Sequence, residues 1–285
     1  MIGLVLKKNA DKFTVEVEDK KFICQARNLK EQGIFVGDKV EVNGDVIEKV
    51  LPRKNVLIRP PLANLDKMII VIAKAPKPDF LLVDKLLIFC TLNEIEPLLC
   101  INKSDLGENF VEEVIKNYEK ATKIVVISTL DDTVFDLKKE IKGITALAGQ
   151  SAVGKSSIIN ALLKENVAKI GNFSKKVERG KQTTRLVELY EIEKGNYLAD
   201  TAGFSKLDER LLNVDEYELR KYYPEFIAPS HNCKYKSCLH LSSKDCGVCS
   251  AVKNGEISKL RYENYKILQE NIKNIKRFWF FLNIC

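Results

Sequence analysis

One short segment limits what this chain can fold into more than any other. Residues 149–156 read Gly-Gln-Ser-Ala-Val-Gly-Lys-Ser and fit G-x-x-x-x-G-K-[ST], the pattern of a loop that cradles phosphate groups. An apolar run of strand length precedes the loop at 144–148, and a sequence with one apolar helical face follows at 157–163. The flanks matter because the strand–loop–helix context supports the motif against the alternative, a Gly-rich turn that binds nothing.

The pattern predicts which groups of the loop contact the phosphates and which one binds the metal ion. Backbone N–H groups and the positive end of the following helix are expected to meet the phosphates, because glycines there leave no Cβ in the way. Lys155 is predicted to reach the β- and γ-phosphates, and the Ser156 hydroxyl to bind Mg²⁺. The candidate phosphate-binding residues are Gly149, Gln150, Ser151, Ala152, Val153, Gly154, Lys155, Ser156 and Ser157.

A second signal follows the predicted strand at 97–101. Asn102, Lys103 and Asp105 match N-K-x-D, the sequence by which GTPases read guanine. A carboxylate at Asp105 can accept from both N–H groups on the guanine edge, which adenine lacks. Ser128 follows the strand at 124–127, where a small loop is expected to lie behind the base.

Two further signals lie beyond the phosphate loop. A polar stretch ends in Gln182, Thr183 and Thr184, and a threonine there is expected to bind Mg²⁺ and sense the γ-phosphate. Thr184 is favoured over Thr183, and two idle hydroxyls in a solvated loop are the alternative. Asp200 and Gly203 form D-x-x-G after a strand, with Asp200 predicted to hold Mg²⁺ through water and the Gly203 N–H to meet the γ-phosphate.

The order of these signals is unusual. Ordinary GTPases run phosphate loop, threonine switch, D-x-x-G and then N-K-x-D, whereas here N-K-x-D comes first. Strands and helices alternate over residues 63–225, which predicts a parallel sheet covered by helices on both faces. The arrangement therefore resembles a circularly permuted GTPase, whose rejoined chain ends leave the site in place.

The flanking segments differ from this centre. Residues 1–62 carry about five short strands separated by turn signals, which favours a small barrel of the OB type over a generic spacer barrel. Net charges of +3, −2 and +6 fall on 1–62, 63–225 and 226–285, so an acidic partner such as RNA is expected at the two ends. The alternative is that lysine is simply abundant.

The last segment holds a cluster of metal-ligand residue types. Cys233, Cys238, His240 and Cys246 supply three thiolates and an imidazole, a donor set that predicts one structural Zn²⁺ in a helical C-terminal module. Cys249 is the rival ligand, and four unlinked reduced cysteines are the alternative.

An OB barrel, a permuted GTPase and a Cys-x4-Cys-x-His-x5-Cys module together resemble the RsgA (YjeQ/YloQ) family of small ribosomal subunit biogenesis GTPases. The resemblance covers nearly the whole chain. It implies slow GTP hydrolysis stimulated by the small (30S) subunit, action late in subunit maturation, contact with 16S rRNA near the decoding region, and zinc as a cofactor beside the magnesium that accompanies GTP.

The chain departs from the usual pattern at positions that are expected to take part in GTP hydrolysis. The family has a histidine before the paired threonines, and this chain has Gln182. The position after D-x-x-G, where many GTPases hold a water-orienting glutamine, is Phe204. We expect Gln182 to orient water when the ribosome orders the switch, so Lys155, Thr184 and Gln182 are the candidate catalytic residues. Position 152 is Ala where glycine is more usual.

Two rivals stay open at this stage. One is a permuted GTPase acting on the large subunit, and the other is a non-catalytic RNA-binding scaffold with a degenerate nucleotide fold. No apolar run approaches the ~20 residues of a membrane helix and no signal peptide is evident, so a cytoplasmic protein without membrane contact is expected. A monomer is expected.

Overall fold

The computed structural model describes residues 1–27, 33–170, 187–200, 207, 212–242 and 244–282, of which 164–170, 200 and 276–282 are described as backbone only. Within those residues three parts follow one another along the chain: a barrel, a helix-covered sheet and a helical C-terminal module. The expected class, a multidomain α/β protein of this composition, is confirmed. The boundaries at 62 and 225 remain predictions.

The N-terminal strands close into a barrel. They are β1 (Ile2–Asn9), β2 (Lys12–Val17), β3 (Lys20–Ala26), β4 (Lys39–Asn43) and β5 (Val46–Val50). The pairing order is β1-β2-β3-β5-β4, and β4 returns to pair with β1. Only β3 and β5 run parallel among these pairs. Because alternate side chains point inward, Val15, Val40 and Ile47 form an apolar interior of their own, as expected of an OB-type barrel.

A short hairpin leads from the barrel into the central sheet. Its strands are β6 (Val56–Ile58) and β7 (Pro61–Ala63). The central strands are β8 (Lys67–Ala73), β9 (Glu96–Asn102), β10 (Lys123–Val126), β11 (Ile144–Ala148), β12 (Glu188–Glu193) and β13 (Asn196–Asp200). Their order is β10-β9-β8-β11-β13-β12, parallel as far as β13 and antiparallel at β12.

Helices cover both faces of this sheet. They are α1 (Phe80–Leu92), α2 (Glu108–Tyr118) and α3 (Lys155–Ile170). The side chains of β8 divide between the faces: Met68 and Ile70 join one apolar cluster, while Ile69 and Val71 join the other. Burial on two faces explains why β8 reads as a continuous apolar run rather than an alternating one.

The barrel and the central sheet are joined edge to edge. Lys7 of β1 lies opposite Glu188 of β12, and their side chains form an ion pair of 2.8 Å. The Tyr197 hydroxyl of β13 also hydrogen-bonds the buried Glu16 carboxylate of β2. The alternating pattern at 186–192 predicts an edge strand, but β12 is paired on both sides, so that prediction is wrong and the two sheets form one.

The C-terminal module packs on α1. Its helices are α4 (Ile227–Ser230), α5 (Gly247–Lys253) and α6 (Lys259–Leu282). Arg261 of α6 is 1% exposed and forms ion pairs with Asp84 of α1 and with Glu225, the latter at 2.8 Å. Its guanidinium also lies over the Tyr223 ring, 4.5 Å from the centroid. None of the helices that the structure describes is both long and apolar enough to cross a bilayer.

Candidate nucleotide site and metal centre

Several segments singled out in the sequence leave the central sheet at one edge. Strands β9, β10, β11 and β13 are parallel, so their carboxyl ends point the same way. N-K-x-D begins at the last residue of β9, the phosphate loop follows β11, and D-x-x-G begins at the last residue of β13. This edge is where parallel α/β sheets bind ligands.

Two glycines of the phosphate loop have conformations that other residues avoid. Gly149 has φ +122°, and a Cβ there would lie 2.2 Å from the Val71 carbonyl oxygen. Gly154 has φ +101°, and a Cβ there would lie 2.2 Å from Nδ2 of Asn102. The loop can therefore approach β8 and the N-K-x-D segment only with glycine at these positions.

The N-K-x-D segment is bonded directly to the phosphate loop. Asn102 is fully buried, and its Nδ2 donates to the Val153 carbonyl over 2.8 Å. Lys103 Nζ donates to the Ala152 carbonyl and to the Ala75 carbonyl, each over 2.9 Å. Two segments some fifty residues apart in sequence are thus hydrogen-bonded to each other. This geometry places a base-reading segment next to a phosphate-binding one.

Lys155 lies folded over the loop that it ends. Its ammonium donates to the Gly149 carbonyl over 2.7 Å and to the Gln150 carbonyl over 2.5 Å. Burial lowers the pKa of Lys155 below the usual lysine range, because the charged form loses hydration. Ser156 and Ser157 are exposed in the first turn of α3, where a ligand could reach their hydroxyls and N–H groups.

The Asp105 carboxylate is positioned by the neighbouring loop. Asp105 is exposed, and its Oδ1 accepts a hydrogen bond of 2.8 Å from the hydroxyl of Ser128, which is 1% exposed. The Ser128 N–H in turn donates to the Thr133 hydroxyl over 2.8 Å. Thr133 hydrogen-bonds Asp131, the residue that caps the 3₁₀ helix Asp132–Glu140. The carboxylate is therefore oriented rather than free to turn.

Sequence reasoning missed two supports of this site. Thr133 could have been found from the capping signal at Asp131, two residues earlier. The loop at 74–79 between β8 and α1 had no such signal, although it borders the phosphate loop through Lys103 and Gln150. The Gln150 amide accepts from the Asp79 N–H over 2.8 Å and donates to the Lys77 carbonyl over 3.2 Å.

The predicted metal ligands come together in the C-terminal module. One ligand atom from each of four residues lies within 4.8 Å of the others; the residues are Cys233, Cys238, His240 and Cys246. Nδ1 of His240 is the ring nitrogen that faces the thiols, at 3.6 Å from Cys233 and 3.5 Å from Cys246. Burial, with a smaller effect from the charge of Arg220, lowers the pKa of His240 to about 4. The imidazole is then neutral at neutral pH, the form that binds a metal.

Cys249 lies outside this cluster. Its thiol donates to the Ser242 carbonyl over 3.1 Å and to the His240 carbonyl over 3.4 Å, and it lies 3.3 Å from the Tyr262 hydroxyl. These contacts account for a buried thiol without a metal. Three sulfurs and one nitrogen at this spacing fit a closed tetrahedral site.

Some predicted site residues cannot be located. Gln182, Thr183, Thr184, Gly203 and Phe204 lie outside the described residues. Asp200 is described as backbone only, at the end of β13 beside the strand that carries the phosphate loop.

Comparison with known proteins decides the family. The model of the RsgA GTPase family matches residues 50–210, more than half of the chain and the whole run from the first central strand to D-x-x-G. This chain belongs to the RsgA GTPase family. A second model, described as a 50S ribosome-binding GTPase, matches residues 144–283.

Relatives of the RsgA family match over nearly the full length. A small ribosomal subunit biogenesis GTPase RsgA of Ruminiclostridium cellulolyticum is 38% identical over 97% of this chain and 95% of the relative. The protein of the same description from Clostridium acetobutylicum is 40% identical over 93% of this chain and 95% of its own.

Solved structures of the RsgA family agree with the fold. YjeQ from Thermotoga maritima has a TM-score of 0.78 and 33% identity, covering 95% of this chain and 98% of that one. YloQ, described as a circularly permuted GTPase, has a TM-score of 0.76 and 30% identity, covering 96% and 95%. The expected permuted GTPase is thereby confirmed, and the chain is a GTP hydrolase by family.

Proposed function

We propose that this chain binds GTP at the carboxyl edge of the central sheet and hydrolyses it to GDP and phosphate during biogenesis of the small ribosomal subunit. The observation that carries the proposal is the pair of hydrogen bonds from Asn102 and Lys103 to the carbonyls of the phosphate loop. They supply one continuous surface with a phosphate end and a base end. RsgA-family relatives with small-subunit descriptions support the biological setting.

The phosphate end uses the loop and its lysine. The backbone N–H groups of residues 149–157 bind the phosphates, and the Lys155 ammonium leaves the carbonyls of Gly149 and Gln150 to reach the β- and γ-oxygens. Ser156 is exposed and would hold Mg²⁺ together with Asp200 and Thr184. The ion would neutralise charge that develops on the γ-phosphoryl group.

The base end reads guanine through Asp105. Its carboxylate accepts from the ring N–H and the exocyclic amino group, and the Ser128 hydroxyl fixes its plane. An adenine would leave the carboxylate facing an acceptor, which is the physical basis of selectivity for GTP over ATP.

Water positioning is assigned to Gln182. Phe204 stands where many GTPases hold a glutamine and cannot hydrogen-bond water. The Gln182 amide can orient water through its carbonyl but is a poor general base. Hydrolysis by the chain alone is therefore expected to be slow, and a partner is expected to accelerate it.

The Cys₃His cluster is assigned one structural Zn²⁺. The donor set is soft and closed, with three sulfurs and a neutral imidazole, as structural zinc sites require. Cys233, Cys238, His240 and Cys246 would hold the ion and tie residues 233–246 together. Its role is folding of the module rather than catalysis.

The C-terminal module is proposed to dock on 16S rRNA of the 30S subunit. Residues 226–285 have a net charge of +6, and a cleft of about 250 Å³ beside the metal cluster is lined by Arg220, Lys221 and Lys236 together with an exposed Tyr235. Cations next to an exposed ring suit a phosphate backbone with unstacked bases. Removing the metal by chelation should weaken subunit binding, and unchanged binding would refute this docking.

GTP turnover titrated with purified small subunits tests the function. Turnover should rise with small subunits and should not rise with large subunits, and ATP should not be hydrolysed. Stimulation by the large subunit alone would favour the description of the second family model, a 50S ribosome-binding GTPase. Absence of guanine-nucleotide binding would favour the alternative that the chain is an RNA-binding scaffold.

Gln182→Ala should abolish the stimulated part of turnover. A stimulated rate equal to that of the parent protein would remove Gln182 from the mechanism.

A further inference from the structure

We infer that Gln150 is a positioning residue through which the seating of the C-terminal module acts on the phosphate loop. This inference rests on the nucleotide site proposed above and adds to it a structural link between nucleotide affinity and the metal-binding module. The link has three consecutive contacts, each between described residues.

The first contact is made by the side chain of Gln150. It holds the start of α1 by accepting from the Asp79 N–H and donating to the Lys77 carbonyl. Asp79 is also the cap of α1, since its carboxylate accepts from the Leu82 N–H over 2.9 Å. A displacement of α1 is thus transmitted to the second residue of the phosphate loop.

The second contact lies one turn along α1. Asp84 is 0% exposed and is held by Arg261 and by Asn264, whose Nδ2 donates to Oδ2 over 2.8 Å. Both partners belong to α6. Because a buried ion pair tolerates little displacement without leaving a charge unpaired, α1 and α6 are expected to move together.

The third contact joins α6 to the metal-binding loop. The Tyr262 hydroxyl donates to the His240 carbonyl and the Tyr265 hydroxyl donates to the Leu239 carbonyl, each over 2.7 Å. The segment that supplies the metal ligands is therefore fixed to the same helix that holds Asp84. At the other end of the link, Gln150 is itself part of the phosphate loop, and its carbonyl accepts from the Lys155 ammonium.

These contacts explain why glutamine stands at position 150. A phosphate loop needs only backbone N–H groups at this residue, so any side chain would serve the nucleotide alone. An amide supplies both a donor and an acceptor, and it finds one carbonyl and one N–H two residues apart. Both hydrogen bonds are exposed to solvent, so the coupling is expected to be modest, on the order of 2- to 5-fold in affinity.

A double-mutant cycle on the full-length protein tests the link. The probe is a fluorescent GDP derivative with Mg²⁺, and the variants are Gln150→Met, Arg261→Lys and the pair. Arg261→Lys keeps the charge but loses the planar contact to Glu225 and Asp84. We expect it to weaken GDP binding by about 3-fold in the parent chain and to have no further effect beside Gln150→Met.

Other outcomes would overturn the inference. The same factor in both backgrounds, or no effect of Arg261→Lys on a folded protein, would mean that Gln150 and the module act independently. If Arg261→Lys does not fold, Asn264→Ala takes its place in the cycle, since it removes one hydrogen bond and leaves the ion pair. Loss of GDP binding in the parent protein would instead refute the proposed function, so the two failures are distinguishable.

Reciprocity gives a second measurement. If the module affects nucleotide binding, then nucleotide must affect the module by the same factor. Saturating GDP should raise the equilibrium affinity of the module for its metal, measured against a competing chelator, in the parent chain and should leave it unchanged in Gln150→Met. Gln150→Glu, which keeps the acceptor for the Asp79 N–H but loses the donor, should restore part of the effect. An equal rise in metal affinity in all three proteins would contradict the link.

Discussion

The backbone at Ala152 shows how a single residue can depart from the usual form of a phosphate loop. Its φ is +66°, in the left-handed region that a residue with a Cβ adopts at a cost of roughly 1–2 kcal/mol. This explains why glycine is the more usual residue there. The strain is held by the contacts around it, including the bond from Lys103 to the Ala152 carbonyl.

Ala152→Gly should therefore stabilise the protein. We expect a gain of up to about 1 kcal/mol in the free energy of unfolding, since relief of strain exceeds the added entropy of the unfolded chain. Chemical denaturation measures it. Ala161→Gly, inside α3, is the matched control and should destabilise by about 1 kcal/mol. A loss at both positions would show that Ala152 is not strained.

The Lys155 ammonium gives the nucleotide site a dependence on pH. Burial lowers its pKa from the ordinary lysine value, so in the free protein it loses its proton at a lower pH than an exposed lysine does. Since only the charged form attracts phosphate, GDP affinity should fall as pH rises through this lowered pKa. Lys155→Arg stays charged, so it should show only the loss of affinity that ionisation of the guanine ring N–H causes in both proteins at high pH. Parallel profiles in the two proteins would contradict the assignment.

The cysteines of the module differ in what each sulfur touches. Cys246 lies in the four-residue cluster, whereas the Cys249 thiol is satisfied by carbonyl oxygens. Cys246→Ser should lose bound zinc and the module's thermal stability, while Cys249→Ser should keep one zinc per chain. Elemental analysis of the purified proteins measures this. If only Cys249→Ser lost its zinc, Cys249 would be the metal ligand and Cys246 would not.

At the scale of elements, a buried cluster of Arg261, Asp84 and Glu225 joins α6 to α1 across 177 residues of sequence. Arg261→Ala would leave the Asp84 and Glu225 carboxylates buried without their cation. Breaking a buried pair in this way costs about 3–5 kcal/mol, which denaturant unfolding of the whole chain can measure. Lys266→Ala on the same helix is the control, because its partner Glu263 is exposed and the loss should stay below about 1 kcal/mol. Equal costs would mean that the cluster is not desolvated.

Local pattern predicted the elements well and their pairing less well. The strand expected at 144–148 is β11 residue for residue, and the apolar residues at helical spacing over 80–93 match α1 to within one residue, because periodicity is a local signal. The edge-to-edge joining of β12 and β1 was not predicted, because nothing near Glu188 in sequence indicates that Lys7 lies opposite. The amphipathic spacing that begins near Arg261 likewise predicts a helix but not the buried carboxylates that Arg261 contacts.

In the candidate site, too, the sequence predicted local features and missed contacts between distant segments. Motifs named the candidate ligand-binding residues, since a phosphate loop, N-K-x-D and a cysteine cluster each carry their chemistry within a few residues. Spacing could not decide between Cys246 and Cys249, which differ in which atoms surround them. The support of the phosphate loop by Gln150 could not be predicted, because it depends on where the loop at 74–79 returns to the sheet.

At the scale of the whole molecule, one sheet runs from the barrel through the GTPase strands, and the C-terminal module is fixed to α1 by buried charge. The chain order is permuted, yet parallel strands bring N-K-x-D, the phosphate loop and the backbone of Asp200, the first residue of D-x-x-G, to one edge. A partner that binds the barrel or the module is thus linked to the nucleotide site through a continuous sheet or through packed helices. Such an arrangement suits an enzyme whose turnover depends on a large partner.

The central claim is that distant motifs meet on a single guanine nucleotide, and a change of base preference at Asp105 tests it most directly. Asp105→Asn exchanges one carboxylate oxygen for a donor, which should repel the guanine edge and suit xanthine, whose ring offers a carbonyl at that place. Binding of fluorescent GDP should weaken by roughly 100-fold and binding of xanthosine diphosphate should strengthen, since a charge-assisted hydrogen bond contributes up to about 3 kcal/mol. Unchanged GDP affinity in a folded Asp105→Asn protein would contradict the account.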